Sequence, residues 1–236
     1  NLSIIQYIYI FMESTDIPKD KIILYSFYKS SSAWRVRIAL NLKGIKYDLD
    51  TLNLFGGEQK NPEFEKINPR KMVPALVIDG SLLIESMPII EYLDESRPEK
   101  PLFPKDLLLK QKVRTICEIC NSGIQPLQNL KVTNKVEKEF GQDSIAWVTY
   151  FNLEGFKALE QILVKTAGKY CFGDEITAAD CFVFPQVLGS VLRFNLSLKE
   201  YPTLQKIIDN LSVIPEFIAA MPVNQPDCPE EEKQKK

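Results

Sequence analysis

The sequence predicts two halves of different texture: an α/β half of order βαβ–α–ββα on a mixed four-stranded sheet, and an all-helical half after it. Three observations carry that reading. Short apolar or alternating runs at 21–26, 47–52 and 73–84 alternate with helical patterns. A proline-rich stretch at 97–104 then interrupts the chain. Beyond it, apolar residues recur at three- and four-residue spacing, and no strand pattern returns.

The elements follow in order. KIILYS at 21–26 reads as a short buried strand. In SSSAWRVRIALNLKG, Ser30 or Ser31 caps a helix whose apolar positions include Trp34, Ile38, Leu40 and Leu42, and Gly44 stops it. YDLDTL alternates as a second strand, and the Gly/Asn/Pro-rich stretch 56–69 has room for one short helix. VPALVIDGSLLI is a hairpin turned at Asp79-Gly80. Ser86 then caps a helix running to about Ser96, which Pro98 closes. A strand, a crossover helix and a second strand require a parallel pair. The hairpin added after it makes the sheet mixed.

In the second half Leu109, Val113, Ile116, Cys117, Cys120 and Ile124 form one apolar stripe. Trp147, Phe151, Gly155, Ala158, Leu159 and Ile162 form another. Thr177 and Asp180 have capping-box spacing before an apolar run, and Pro202 and Pro215 open two short helices. The boundaries that follow are an extension at 1–20, an α/β domain at 21–98, a linker at 99–108, a helical domain at 109–224 and a flexible tail at 225–236. Residues 2–11 are apolar without a basic flank or a small-residue cleavage site, and Met12 precedes a polar segment. The expectation is that the natural chain starts at Met12.

Composition narrows the chemistry. Of 236 residues, 45% are hydrophobic and 25% charged, enough for a real core. The formal net charge is -2, so nothing points to nucleic acid or to a membrane surface, and any field that holds an anion must be local. The chain has no histidine, which removes imidazole bases, Ser-His and Cys-His triads and His-ligated metals. Five cysteines at irregular spacing in a chain this long point to a reducing, cytoplasmic compartment. Cys117 and Cys120 match C-x-x-C inside a helical apolar pattern, where buried thiols are expected rather than a redox or zinc pair.

Three places combine groups that can bind or react. Ser30, Ser31 and Ser32 crowd the start of the first helix, where unpaired N–H groups and the macrodipole favour an anion. The same letters also serve as a plain N-cap. Val73-Pro74 suits the first residues of an edge strand, or a cis peptide that turns the Val73 backbone toward a ligand. Glu85-Ser86 at a helix start can hold an amino-acid head group, the carboxylate at the helix terminus and the ammonium on Glu85; ordinary capping explains them too.

The motifs SSxxWRVRIAL, VPALVIDG, ES, GIQPLQNL and GDEITAAD occur in an order and spacing that resemble glutathione transferases. The first and fourth resemble the zeta class, also known as maleylacetoacetate isomerases, and the resemblance runs from about Lys21 to Pro229. It implies a thioredoxin-like glutathione-binding domain followed by an all-α substrate-side domain, and a homodimer. By resemblance, Ser30 hydrogen-bonds the glutathione sulfur with Ser31 beside it, and Val73 followed by Pro74 pairs with the cysteinyl backbone. Glu85 and Ser86 hold the γ-glutamyl end and Gln59 the glycyl end. Ser32, Arg35, Gln125 and Asn129 complete the cofactor site, and Arg193, with Arg35 as a second candidate, takes a substrate carboxylate. One departure stands out: Ser32 occupies the position where the family usually has cysteine, so activities that need that thiol are put in question.

The implied reaction uses glutathione as a true cofactor. Its thiolate isomerises maleylacetoacetate to the trans product, and the same nucleophile serves transfer to small electrophiles such as α-halo acids. Lowering an ordinary thiol pKa of about 8.5 by about two requires roughly 2.7 kcal/mol. One hydrogen bond to the anion, about 1.5–3 kcal/mol, together with a helix-dipole contribution of about 0.3–1, covers it without histidine. The alternatives are a general xenobiotic-conjugating transferase, or a non-catalytic glutathione-binding module.

Overall fold

The computed structural model describes residues 20–233; the expectation about Met12 and the extension lies outside them except at Asp20. Four strands form one sheet: β1 (Ile23–Ser26), β2 (Asp48–Thr51), β3 (Ala75–Ile78) and β4 (Ser81–Ile84), in the order β2-β1-β3-β4. β1 pairs in parallel with β2 and antiparallel with β3, and β3–β4 is the hairpin. Its turn residues Asp79 and Gly80 both have positive φ, as a two-residue hairpin of this twist requires. The mixed sheet is as the sequence predicts.

α1 (Ser31–Leu42) crosses over from β1 to β2 and is buried along nearly its whole length. That is why its apolar positions show so little sidedness: a helix covered all round needs no polar face. α2 (Pro62–Ile67) follows a 3-10 turn at Glu58–Lys60. α3 (Ser86–Ser96) closes the first half. Its cap is Glu85, not Ser86, which is the first helical residue.

The second half contains α4 (Leu107–Glu118), a wide turn at Ile119–Ile124, a 3-10 turn at Gln125–Gln128, α5 (Leu130–Lys138), α6 (Ser144–Leu163), α7 (Ala178–Phe194), α8 (Pro202–Leu211) and α9 (Pro215–Ala219). Thr177 and Asp180 form the expected capping box at the head of α7. Two stripes are corrected. Leu109 lies in the first turn of α4 and faces solvent, while Asp106 caps that helix. On α6 the core face is Val148, Asn152, Phe156, Leu159 and Leu163; Trp147 and Phe151 are half-buried and Ile162 is exposed. The polar residue Asn152 shifts the face, because it is fully buried against Gln128 and Gln186 as hydrogen-bond partners.

The halves share one apolar cluster, which contains Trp34, Val36 and Ile89 from the first and Ile116, Phe156 and Phe184 from the second. Trp34 meets Phe184 edge-on at 5.5 Å. Residues 99–108 are fastened too: Asp94 accepts from the Leu102 and Phe103 N–H groups and pairs with Lys43 at 2.6 Å, with both side chains almost buried. The tail reading is overturned in part. Gln225 and Cys228 are buried, and α10 (Glu230–Lys233) packs back on the first half. Charge composition suggests a solvated tail, but Gln225 turns the chain by donating to the Ala219 and Met221 carbonyls.

Candidate active site

Ser30 sits where β1 has ended and α1 begins. Its N–H donates to the Phe27 carbonyl at 2.9 Å, and its hydroxyl oxygen caps the helix by accepting from the Ala33 N–H at 3.2 Å. That contact uses a lone pair and leaves the O–H proton to donate. Ser31 and Ser32 occupy the first two helical positions, Ser31 buried and Ser32 half-buried. Their N–H groups are among the orphan donors of a helix terminus, where an anion is stabilised. The cap is observed, and it leaves the Ser30 O–H able to serve an anion as well.

A buried cation lies behind this terminus. Arg35 is fully covered, and it donates to Ser86 Oγ at 3.1 Å, to Asn121 Oδ1 at 2.5 Å and to the Cys120 carbonyl. Its guanidinium stacks over Phe182 at 4.5 Å. Burial lowers its pKa to about 10, so it remains charged at neutral pH. Arg35 was expected to touch cofactor or substrate; the side-chain and backbone groups it donates to are the protein's own. It is a strut that ties the heads of α1 and α3 to the helical half, and no carboxylate is among those hydrogen-bond partners. It is a buried positive charge close to the heads of both helices.

Val73-Pro74 is cis, and both residues are buried just before β3. Glu85 holds φ at +69°, an unfavourable conformation for a residue with a side chain and one found at ligand clamps. Arg70 engages its Oε1 at 2.6 Å, and a carboxylate retains capacity for further donors. Ser86 is buried beside it. Gln59 Oε1 is buried without a hydrogen-bond partner, as are Trp34 Nε1, Arg35 Nε and Gln186 Oε1, which leaves it an acceptor for a donor from outside the chain. These groups fit a peptide with a carboxylate at each end and a thiol between.

Gln125 opens a 3-10 turn and is half-buried, whereas the side chain of Asn129 caps α5 by accepting from the Lys131 N–H. The buried member of GIQPLQNL is Gln128, which the sequence reading passed over. It joins Asn152, Gln186 and Ser190 in a buried polar network. Arg193 stands on the last turn of α7 with its guanidinium over Phe194 at 5.1 Å. Its surface is exposed, yet crowding by protein lowers its pKa, and the neighbouring Tyr28 acts in the opposite direction.

The sequence reading also missed Arg37. Fully buried, it donates to Ser26 Oγ at 3.0 Å, to the Phe27 and Tyr28 carbonyls and to the Ala220 carbonyl at 3.1 Å. It thus holds the loop that ends in Ser30. The signal was present: a second arginine two residues from Arg35, in a run otherwise apolar on every side. All five cysteines are free and buried, and burial pushes the Cys117 thiol well up and the Cys120 thiol up to about 12. Such thiols are inert packing groups. Among the described residues, no cluster of His, Cys, Asp and Glu could hold a metal, and no helix is long and apolar enough to cross a membrane.

Sequence comparison agrees with this geometry. Residues 24–101 match the family model for the N-terminal domain of glutathione S-transferases, and residues 145–220 match that for the C-terminal domain. The chain belongs to the glutathione transferase family. The chain is 50% identical over 211 residues to the probable maleylacetoacetate isomerase 2 of Drosophila melanogaster, covering 89% of this chain and 91% of that protein. Maleylacetoacetate isomerase from Anaeromyxobacter dehalogenans, crystallised with glutathione in its active site, superposes with a TM-score of 0.81 at 39% identity, covering 89% of this chain and 98% of that one. A second structure of that isomerase, 38% identical, TM-score 0.80 and with the same coverage, holds dicarboxyethyl glutathione and citrate in the active site. Within the family, the chain is of the zeta class, the maleylacetoacetate isomerases.

Proposed function

We propose that the chain is a glutathione-dependent cis–trans isomerase of maleylacetoacetate-type substrates, with transferase activity on small electrophiles such as α-halo acids. The observation that carries this reading is the Ser30 hydroxyl, which caps α1 with its oxygen and keeps its proton for a sulfur anion. Glutathione, when bound, would supply a thiol nucleophile for the conjugated double bond and would not be consumed in the isomerisation.

The chain's own residues would do the rest. Ser30 donates to the sulfur, and the α1 terminus with Ser31 and Ser32 stabilises the negative charge. Glu85 takes the ammonium and Ser86, backed by Arg35, takes the carboxylate of the γ-glutamyl end. The Val73 backbone pairs with the cysteinyl amide, and the buried Gln59 oxygen accepts from the glycyl end. Arg193 anchors a substrate carboxylate by bidentate pairing. The citrate and dicarboxyethyl glutathione in the Anaeromyxobacter isomerase support a carboxylate substrate.

Turnover of maleylacetone, measured with and without glutathione, tests the proposal. Activity with glutathione alone present is expected, and no turnover under either condition overturns it. In the same assay Arg193→Ala should raise the Michaelis constant about tenfold or more, the worth of one charge-assisted pair, and leave kcat within a few-fold. An unchanged Michaelis constant would remove Arg193 from the substrate site.

Ser32 favours one variation. A hydroxyl cannot form the mixed disulfide that a cysteine there could, so chemistry that uses only glutathione's thiol is retained whatever that position contributes elsewhere. The homodimer is proposed on the class and on exposed apolar side chains such as Phe55, Phe140, Ile145 and Tyr150. A monomeric mass by light scattering would refute it. A cytoplasmic location fits five unpaired cysteines; recovery from an oxidising compartment would contradict it.

A further inference from the structure

The end of the chain grips the loop that carries Ser30. Asp227 Oδ2 accepts from the Tyr28 N–H at 2.8 Å, across 199 residues of sequence. Glu232 accepts from the Tyr28 hydroxyl at 3.0 Å and from Lys29 Nζ at 2.5 Å. Between them Cys228 is buried in a cluster with Phe27, Tyr28, Ala33, Phe64 and Val73. Arg37 holds the Phe27 and Tyr28 carbonyls. Tyr28 is therefore fastened through its N–H by Asp227 and through its C=O by Arg37, and Phe27 through its C=O by Arg37.

We propose that Asp227 is a positioning residue for the thiol-activating serine: by holding the Tyr28 N–H it sets where the Ser30 hydroxyl stands relative to the glutathione sulfur. This rests on the role proposed for Ser30. A hydrogen bond to sulfur weakens steeply with misalignment, and Ser30 is tied to this loop through its own N–H, which donates to Phe27. The same grip removes a rival donor. Tyr28's single proton is committed to Glu232, and burial first, then that hydrogen bond, raises its pKa far above the ordinary phenol. With its proton held by Glu232 and its pKa raised, Tyr28 is a poor rival for the sulfur, which leaves the task to the serine.

Charge alone predicts the opposite outcome, which makes the inference testable by its sign. A carboxylate near a thiolate repels it, so if Asp227 acted only by its charge, its removal would lower the thiol pKa. If Asp227 positions the serine, its removal raises that pKa. The measurement is the thiolate absorbance of glutathione bound to the full-length chain, titrated with pH, for the wild type, Asp227→Ala and Asp227→Asn. The Ala variant should show a thiolate fraction at neutral pH about three- to tenfold lower, as the loss of roughly one hydrogen bond would give, with glutathione affinity within a few-fold. Asn keeps an acceptor oxygen and should restore most of the fraction. A thiolate fraction in Asp227→Ala equal to or above wild type, or an Asn variant as impaired as Ala, overturns the proposal. Should Asp227→Ala fail to fold, Glu232→Ala on the short α10 removes the second grip and should shift the pKa in the same direction; no shift there counts against the proposal. A wild type whose bound sulfur is not ionised defeats the Ser30 reading and the positioning role together. An ionised wild type with unaltered variants defeats the positioning role alone.

Discussion

Ser30→Ala is expected to lower kcat by about 10- to 150-fold, the loss of one hydrogen bond to an anion at about 1.5–3 kcal/mol. Glutathione binding should change little, because the contacts proposed for Val73, Glu85, Ser86 and Gln59 would still hold the rest of the peptide. The pKa of the bound thiol should rise by about one to two, measurable by thiolate absorbance. The effect is not total, since the α1 terminus and its N–H groups remain. The Ser30 O–H is available because the cap is made by its oxygen, from Ala33 N–H. Full activity and an ionised sulfur in the variant would assign activation to the backbone.

The largest expected loss of stability comes from a residue outside the site. Asp180 is fully buried, and it accepts from the Cys171 N–H at 2.9 Å, the Thr177 N–H at 2.8 Å and the Thr177 hydroxyl at 3.1 Å. Asp180→Ala leaves two backbone donors orphaned in the core at about 1–3 kcal/mol each, and it empties the space the carboxylate filled. Together these give about 3–5 kcal/mol, a large share of a total near 5–15 kcal/mol. The urea midpoint should fall accordingly, and a change below about 1 kcal/mol would show that the capping box is dispensable. Two roles meet here, because the cap both starts α7 and pins the loop holding Cys171. α7 in turn supplies Phe184 to the Trp34 contact and carries Arg193, the residue proposed for the substrate carboxylate, in its last turn.

Much of the site was legible because it lies at element boundaries, where local rules are strong. Ser30 reads as a cap from its place before an apolar helix, and Asp79-Gly80 reads as a turn from backbone sterics alone. The protein partners of Arg35 were not legible, for a physical reason. An arginine beside a predicted anion site reads as a ligand until the packing covers it completely, and only the covered state makes Ser86, Asn121 and Cys120 its partners. Asn152 misled in the converse way: periodicity sorts polar from apolar, and it does not foresee a polar residue satisfied inside the core.

The sequence by itself determined the two-part architecture, the order of strands and helices, the serine at the head of the first helix and the exclusion of imidazole chemistry. Each follows from interactions within a few residues or from composition. The tertiary structure alone decided that the two halves share one core, that Arg35 and Arg37 are struts and that the acidic end returns to Tyr28. Those contacts join residues from 9 to 204 positions apart, and they exist because buried hydrogen-bonding groups must find partners wherever the folded chain brings them. No local pattern encodes that pairing.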